Sequence, residues 1–457
     1  MKIVFRLLLF CSMALGALSA EPEAFHALLA REWDYAMKES PTSASLLGDR
    51  RWNDRWPDLS VEAISRRAGH ARELLGNLDS IDRAKLGAKD QVSYDLLRFE
   101  TTLAIDEFAS RLWTMPVNQR DGIQLADDLA DALRFETLQD YHDWIARLRA
   151  LPVQIDQTIA LLRIGMAEKR THARQVMEPV PGQIRKQLVA KPEESPFYAP
   201  FIKWPAALGE TERERLAAEA RKAIAEEVVP AYQRFGEFFE RDYLPACTET
   251  VGAWQWPGGD ALYAFAARKF TTTSMTPREI HELGLREVER ITAGMDRIIA
   301  QVGWKGSRLE FFQHLREDKR FYCNTPEELL EAYRATAKRI DPTLLKVFKT
   351  LPRTPYGVEP IPANVAPNTT AAYYRPLAAD GSRAGTFFVN LYRPRMRPRY
   401  EMMALAMHEA VPGHHLQFAI AFEQGSLPNF RRYDWPSPHA NSANPRSSCA
   451  TCASAMG

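Results

Sequence analysis

Cysteine is scarce in this chain, five among 457 residues. Cys11, Cys247 and Cys323 stand alone, and only Cys449 and Cys452 come close, as C-x-x-C in a Ser/Ala-rich tail. That count and spacing exclude a disulfide framework, and a C-x-x-C without a second pair is a poor signal for metal or redox work. A surplus of either charge is also missing, since 59 Lys and Arg face 58 Asp and Glu. Neither a nucleic-acid partner nor a polybasic membrane surface is therefore expected. No repeat of fixed period runs through the sequence. Beyond the N-terminus no apolar run is long enough to cross a bilayer. Glutamate is absent after Glu423.

The N-terminus has the three parts of a secretory signal. Lys2 and Arg6 supply charge, Leu7 to Leu18 form the apolar stretch, and Ala17, Ser19 and Ala20 offer small residues for cleavage. The apolar stretch is short for a span and runs straight into Glu21-Pro22-Glu23, which weighs against an uncleaved anchor. Cys11 lacks the context of a lipoprotein site. Residues 1–20 thus read as a signal peptide and the mature protein as periplasmic or secreted.

Most of the chain beyond residue 20 has helical spacing, and the fold class reads as mostly α. "TPRE" at 276–279 and "TPEE" at 325–328 each place Thr at the N-cap, Pro at the first helical position and Glu at the third, the pattern of a capping box. After Thr276 the apolar positions Ile280, Leu283, Val288, Ile291, Met295, Ile298 and Val302 follow helical spacing. Leu129–Leu151 and Glu210–Phe239 read as amphipathic helices. Between Pro352 and Arg399 the texture changes: a proline-rich loop, a short β-type run "TFFVNLY" at 386–392, then a helix from near Tyr400. Any strand here offers an edge for an extended peptide, or else closes the base of the helical body. No clean boundary appears, so 21–433 reads as one large helical body with a small β insertion.

Three of the ten histidines fall within the eight positions 408–415 of "MALAMHEAVPGHHLQ". His408 and Glu409 begin like the zinc motif H-E-x-x-H, yet Pro412 stands where the second histidine belongs. A zinc hydrolase needs neutral imidazoles around a metal with an open position, and a carboxylate to take a proton from water. On a regular helix His414 lies about 120° from the face of His408, and His415 regains that face only after about 10.5 Å of rise. A widening of π type at Val411-Pro412-Gly413 would absorb the extra residues and return His414 to His408. The competing reading is a kinked helix with ordinary polar histidines.

The stretch "GTFFVNLYRPRMRPRYEMMALAMHEAVPGHHLQ" resembles the bacterial domain-of-unknown-function 885 family, marked by H-E-A-x-P-G-H-H-x-Q. "LGDRRWNDRWPDLS" (47–60), "PVNQRDG" (116–122), "FTTTSMTPREIHELGLREVERI" (270–291) and "YGVEPIPA" (356–363) match as well. The resemblance implies a mostly helical, zinc metallopeptidase-like fold and hydrolase activity on a peptide, or on a small amide or ester. It makes His408 and His414 ligands of Zn²⁺, with His415 as the alternative ligand or an oxyanion stabiliser, and Glu409 the general base. Tyr373, Tyr374 and Asn390 become candidate substrate contacts, with simple packing of a small sheet as the other reading.

Family-like sequence stops at Tyr433. Beyond it "DWPSPHANSANPRSSCATCASAMG" lacks the Glu-Gly-Trp segment expected to bring a third ligand, as a truncation or frameshift would leave it. The expectations are therefore an exported zinc peptidase whose third ligand is missing, a catalytically dead remnant or binding module on the same scaffold, or a zinc esterase or amidase. Segment 434–457 reads as an aberrant, disordered tail, and the oligomeric state is not legible.

Overall fold

Proline and the capping side chains decide where the helices begin and how they bend. The computed structural model describes residues 2–363, 366–377 and 383–433; the tail expectation falls outside them. Two compact units emerge where composition marks no boundary, one holding Met1–Ser274 and the other Met275–Asp434. The first unit contains α1 (Lys2–Glu39), α2 (Val61–Asp79), α3 (Ala88–Ser110), α4 (Leu138–Ala167), α5 (Glu210–Ala223) and α6 (Val229–Phe238). The second contains α7 (Pro277–Gln301), α8 (Arg308–Glu317), α9 (Pro326–Ile340), three strands, α10 (Met402–Glu409) and α11 (His414–Glu423). The mostly α class holds.

In the first unit the expected helix over Leu129–Leu151 is two pieces. A short turn, Asp128–Ala132, ends before Thr137, whose capping box with Asp140 starts α4 afresh. The carboxylate of Asp140 accepts the Thr137 N–H at 2.8 Å. The expected helix over Glu210–Phe239 is a continuous rod with wide, π-type turns at Ile224–Val228 and Phe239–Tyr243. Each wide turn comes just before a proline, Pro230 and Pro245, which cannot donate to the preceding turn and needs room for its ring. Tyr141 and Trp144 of α4, Leu216 of α5 and Tyr232 and Phe235 of α6 meet in one core with Phe197.

Polar side chains inside this unit hold loops. Arg147, fully buried, donates through Nε to the Arg55 carbonyl at 3.0 Å and through Nη2 to Ser45 Oγ at 2.7 Å and the Trp52 carbonyl at 3.2 Å. Trp56 Nε1 returns a bond to the Arg147 carbonyl at 2.9 Å. The motif at 47–60 is thereby clamped onto α4. Burial lowers the Arg147 pKa to about 10. The motif at 116–122 is held likewise: Gln124 Nε2 donates to the Asn118 carbonyl at 2.7 Å, and Gln183 Nε2 to that of Gln119 at 2.8 Å.

In the second unit Thr276 and Glu279 form the expected capping box, the two N–H bonds measuring 2.7 and 3.3 Å. At Thr325 only half of it forms. Thr325 Oγ1 accepts the Glu328 N–H, but the Glu328 carboxylate reaches back to the Asn324 N–H at 2.9 Å instead. The apolar face of α7 is largely open, with Val288 63 % and Ile298 56 % exposed and only Ile299 of this helix buried. Its spacing is helical as expected.

The β-type run is a strand over Gly385–Val389 (β3), joined by two strands that its proline-rich surroundings hide: Tyr356–Pro360 (β1) and Ala372–Arg375 (β2). The order is β1-β3-β2. β1 lies parallel to β3, Tyr356 opposite Gly385, and β2 antiparallel, Ala372 opposite Val389. Asn390 N–H donates to the Ala371 carbonyl at 3.0 Å. By alternation, Tyr373 and Arg375 then bond to β3, while Ala372 and Tyr374 turn their backbone groups outward. α9 packs on β1 and α10. Tyr333 of α9 sets its edge on Phe387 at 5.7 Å, within a core that takes in Val389, Met402, Ala406 and Leu416. Burying Phe387 fully is worth about 2–3 kcal/mol over leaving it in water.

Candidate metal centre

The histidine stretch is two helices joined by a break. α10 stops at Glu409 and α11 starts at His414, with Ala410, Val411, Pro412 and Gly413 between them and a cis Val411–Pro412 peptide. The expected widening of one kinked helix is therefore corrected to a full interruption. One wide hydrogen bond crosses it, from His415 N–H to the Ala410 carbonyl at 3.0 Å. The reason lies at Gly413. A Cβ there would stand 1.9 Å from the His408 carbonyl oxygen and 2.4 Å from that of Met407. Only a residue without a side chain lets α11 begin this close to the end of α10. Close approach, rather than unusual dihedral freedom, is what glycine supplies.

The break sets the imidazoles of His408 and His414 edge to face, ring centres 4.8 Å apart. Glu409 lies beside them, its Oε2 4.0 Å from His414 Nε2. One ligand atom from each of His408, Glu409 and His414 lies within 4.8 Å of the other two. In tetrahedral coordination two atoms each about 2.1 Å from one zinc ion lie about 3.4 Å apart, so the widest pair would have to draw together by about an ångström or more to share it.

The electrostatics suit a cation. Glu409 is 7 % exposed, and its Oε2 is buried without a hydrogen-bond partner. Burial pushes its carboxyl up to about 7, opposed by a hydrogen bond from the Tyr374 backbone N–H. Burial, helped by His408, lowers the pKa of His414 and keeps that imidazole in the neutral form a metal requires. Two imidazoles and a carboxylate with an orphaned buried oxygen make a donor set that fits Zn²⁺.

The other sequence candidates take different places. His415, 1 % exposed, is turned away from the group: Nδ1 lies 2.9 Å from the Tyr374 hydroxyl and Nε2 3.0 Å from the Thr354 carbonyl. Tyr374, on the face of β2 toward α11, stacks its ring at 6.3 Å from His414 and 6.1 Å from Phe418. Tyr373 points to the opposite face, as strand alternation requires, and stacks on Phe388 at 4.9 Å. Asn390 is fully buried, and its side-chain amide is committed to the backbone: Nδ2 donates to Ala366 and Thr370 carbonyls, and Oδ1 accepts the Tyr392 N–H. Sequence reasoning missed Gly385 and the Thr354 carbonyl. A glycine opening a strand was the only available signal for the first, and a backbone acceptor leaves none.

Among solved structures the chain is similar to a "putative lipoprotein" from Colwellia psychrerythraea, with 22 % identity, TM-score 0.79, and 95 % of this chain and 80 % of that one covered. It is also similar to a "putative lipoprotein of unknown function" from Shewanella oneidensis, with 16 % identity, TM-score 0.57, and 88 % and 72 % covered. At these identities the likeness shows the fold. No curated protein matches. The family model described as "Bacterial protein of unknown function (DUF885)" matches residues 41–441, which takes in both clamped loops of the first unit and the whole metal group. The chain belongs to that bacterial family.

Proposed function

We propose that the protein is an exported zinc-dependent hydrolase, with a peptide as its most fitting substrate and a small amide or ester as the other. One observation carries this reading: His408, Glu409 and His414 converge across a break that only glycine permits, around a buried carboxylate oxygen with no partner. His408 and His414 would hold the ion. Zinc bound there polarises a carbonyl and lowers the pKa of water. Glu409 offers Oε2 as the proton acceptor, while the Tyr374 N–H steadies the carboxylate. Buried surroundings strengthen these interactions by excluding water. Export is supported by the charged, apolar and small-residue segments at 1–20 and by the lipoprotein names of the two solved relatives. Among the described residues no helix is long and apolar enough to cross a membrane.

The test is zinc content and chelator-sensitive cleavage of a mixed peptide library by wild type and Glu409→Gln. A general base predicts that the variant keeps zinc and loses cleavage by at least about 100-fold. Loss of zinc along with activity would make Glu409 a ligand, and undiminished cleavage would defeat the reading. A second reading, a scaffold that holds metal weakly and catalyses nothing, is favoured by the size of the group. With Glu409 as base, only two ligands remain among the described residues, against the usual three. Wild type without zinc and without cleavage would establish it.

A further inference from the structure

We propose that Tyr374 and His415 form a positioning pair that fixes Glu409, and that His415 is not a metal ligand. This rests on the zinc reading for its purpose and on hydrogen-bond geometry for its substance. A backbone carbonyl only accepts, so the Thr354 carbonyl, 3.0 Å from His415 Nε2, places the ring proton on Nε2. Nδ1 is then the acceptor, and the Tyr374 hydroxyl 2.9 Å away donates to it. Both nitrogens are engaged. Turning this ring toward a metal breaks both of these hydrogen bonds, one of them fully buried.

Gly385 makes the pairing possible. A Cβ at this position of β3 would lie 1.9 Å from the Tyr374 hydroxyl oxygen and 2.9 Å from His415 Nδ1. The Thr354 end is itself anchored, because Glu423 of α11 accepts the Arg353 N–H at 2.7 Å and the Thr354 N–H at 3.3 Å. His415 is thus fixed between a pinned loop and β2. Tyr374 is in turn fixed at both ends: its hydroxyl is on His415, and its backbone N–H is on the Glu409 carboxylate. The chain Thr354–His415–Tyr374–Glu409 ties α11 to the carboxylate at the end of α10. It holds one oxygen of Glu409 and leaves Oε2 free beside His414.

Zinc affinity, by competition with a chromophoric chelator, is compared in wild type, His414→Ala, His415→Ala, His415→Asn, Tyr374→Phe and the Tyr374→Phe/His415→Ala double variant. Circular dichroism checks that each is folded. Removing a ligand is expected to cost more than about 100-fold in zinc affinity, whereas removing a group that orients the Glu409 base should leave zinc bound and cost about tenfold in the chelator-sensitive cleavage measured on the same variants. His415→Ala and Tyr374→Phe should therefore show equal, partial losses of cleavage that do not add in the double variant, because they cut one chain. His415→Asn, which keeps an acceptor for the Tyr374 hydroxyl, should recover most of the loss. In metal-free protein the ¹⁵N signals of the His415 ring should report a protonated Nε2, with Nδ1 shifted by Tyr374→Phe. A loss of zinc affinity in His415→Ala as deep as in His414→Ala, or fully additive losses of cleavage, would overturn the proposal. Should wild type bind no zinc, the zinc reading fails. The ring signals then decide the pair alone: a proton on Nδ1, or indifference to Tyr374→Phe, overturns it.

Discussion

The two units use buried polar groups to different ends. In the first, Arg147, Gln124 and Gln183 donate to backbone carbonyls and hold loops onto an aromatic core. Unmet atoms occur there too, among them Gln124 Oε1 and both amide atoms of Gln154, but none of these is a carboxylate oxygen set between imidazoles. In the second, the unmet Oε2 of Glu409 lies beside an imidazole, within reach of a shared ion. A buried group bonded to backbone marks architecture, whereas a buried carboxylate oxygen left wanting among imidazoles is the natural candidate for chemistry. The family-like stretches divide along the same line. Of these, 47–60 and 116–122 are held as scaffold, and 385–417 carries the candidate site.

The comparison can be broken most forcefully at Arg147. Arg147→Ala removes the guanidinium clamp on the 47–56 loop, four hydrogen bonds from one buried cation, at an expected cost of about 3–5 kcal/mol. Denaturant unfolding followed by tryptophan fluorescence measures it. A loss below about 1 kcal/mol would show that the clamp is incidental. Gly413→Ala tests the other side. Its Cβ collides with the His408 carbonyl, so α11 has to move away and zinc affinity should fall by about 10–100-fold, with the first unit's tryptophan signal unchanged.

A smaller effect sharpens the contrast, since the first unit holds one imperfectly suited acid of its own. Asp127 is pushed up to about 6, first by burial and then by Asp128, although Gln187 Nε2 donates to it at 2.8 Å. Its folded pKa exceeds that of the unfolded chain, so the native state binds more protons between about pH 4 and pH 6. Stability should therefore fall as pH rises through this window. Asp127→Asn should flatten that slope and gain about 1–3 kcal/mol at pH 7, read from unfolding midpoints across pH. An unchanged slope would assign the window to other groups.

Much of this was legible in the residues because the signals were local. Thr276-Pro277 and Glu279 announce a helix start, and His408, Glu409 and Pro-Gly announce an irregular site. The features that stayed hidden depend on partners distant in sequence. Nothing near His415 says that Thr354 and Tyr374 will take both its nitrogens. Strands at 356–360 and 372–375 have little intrinsic pattern and exist because β3 pairs with them. The split before α4 is the exception: Asp140 reaching back to Thr137 is a local T-x-x-D capping pattern, masked by the helical spacing on either side of it. At 410–413 the residues show that the helix is disturbed but not how, because the outcome rests on a carbonyl in the preceding turn meeting a missing side chain.

The outward groups of β2 bear on how anything reaches the centre. Tyr374 N–H already serves Glu409, and the Ala372 carbonyl already accepts the Thr370 hydroxyl at 2.8 Å. An arriving chain laid along this strand therefore finds one outward N–H already taken and one carbonyl already accepting a bond, and meets a poorer edge than an open strand offers. On the hydrolase reading proposed above, shape and side chains would then weigh more than strand pairing in choosing a substrate.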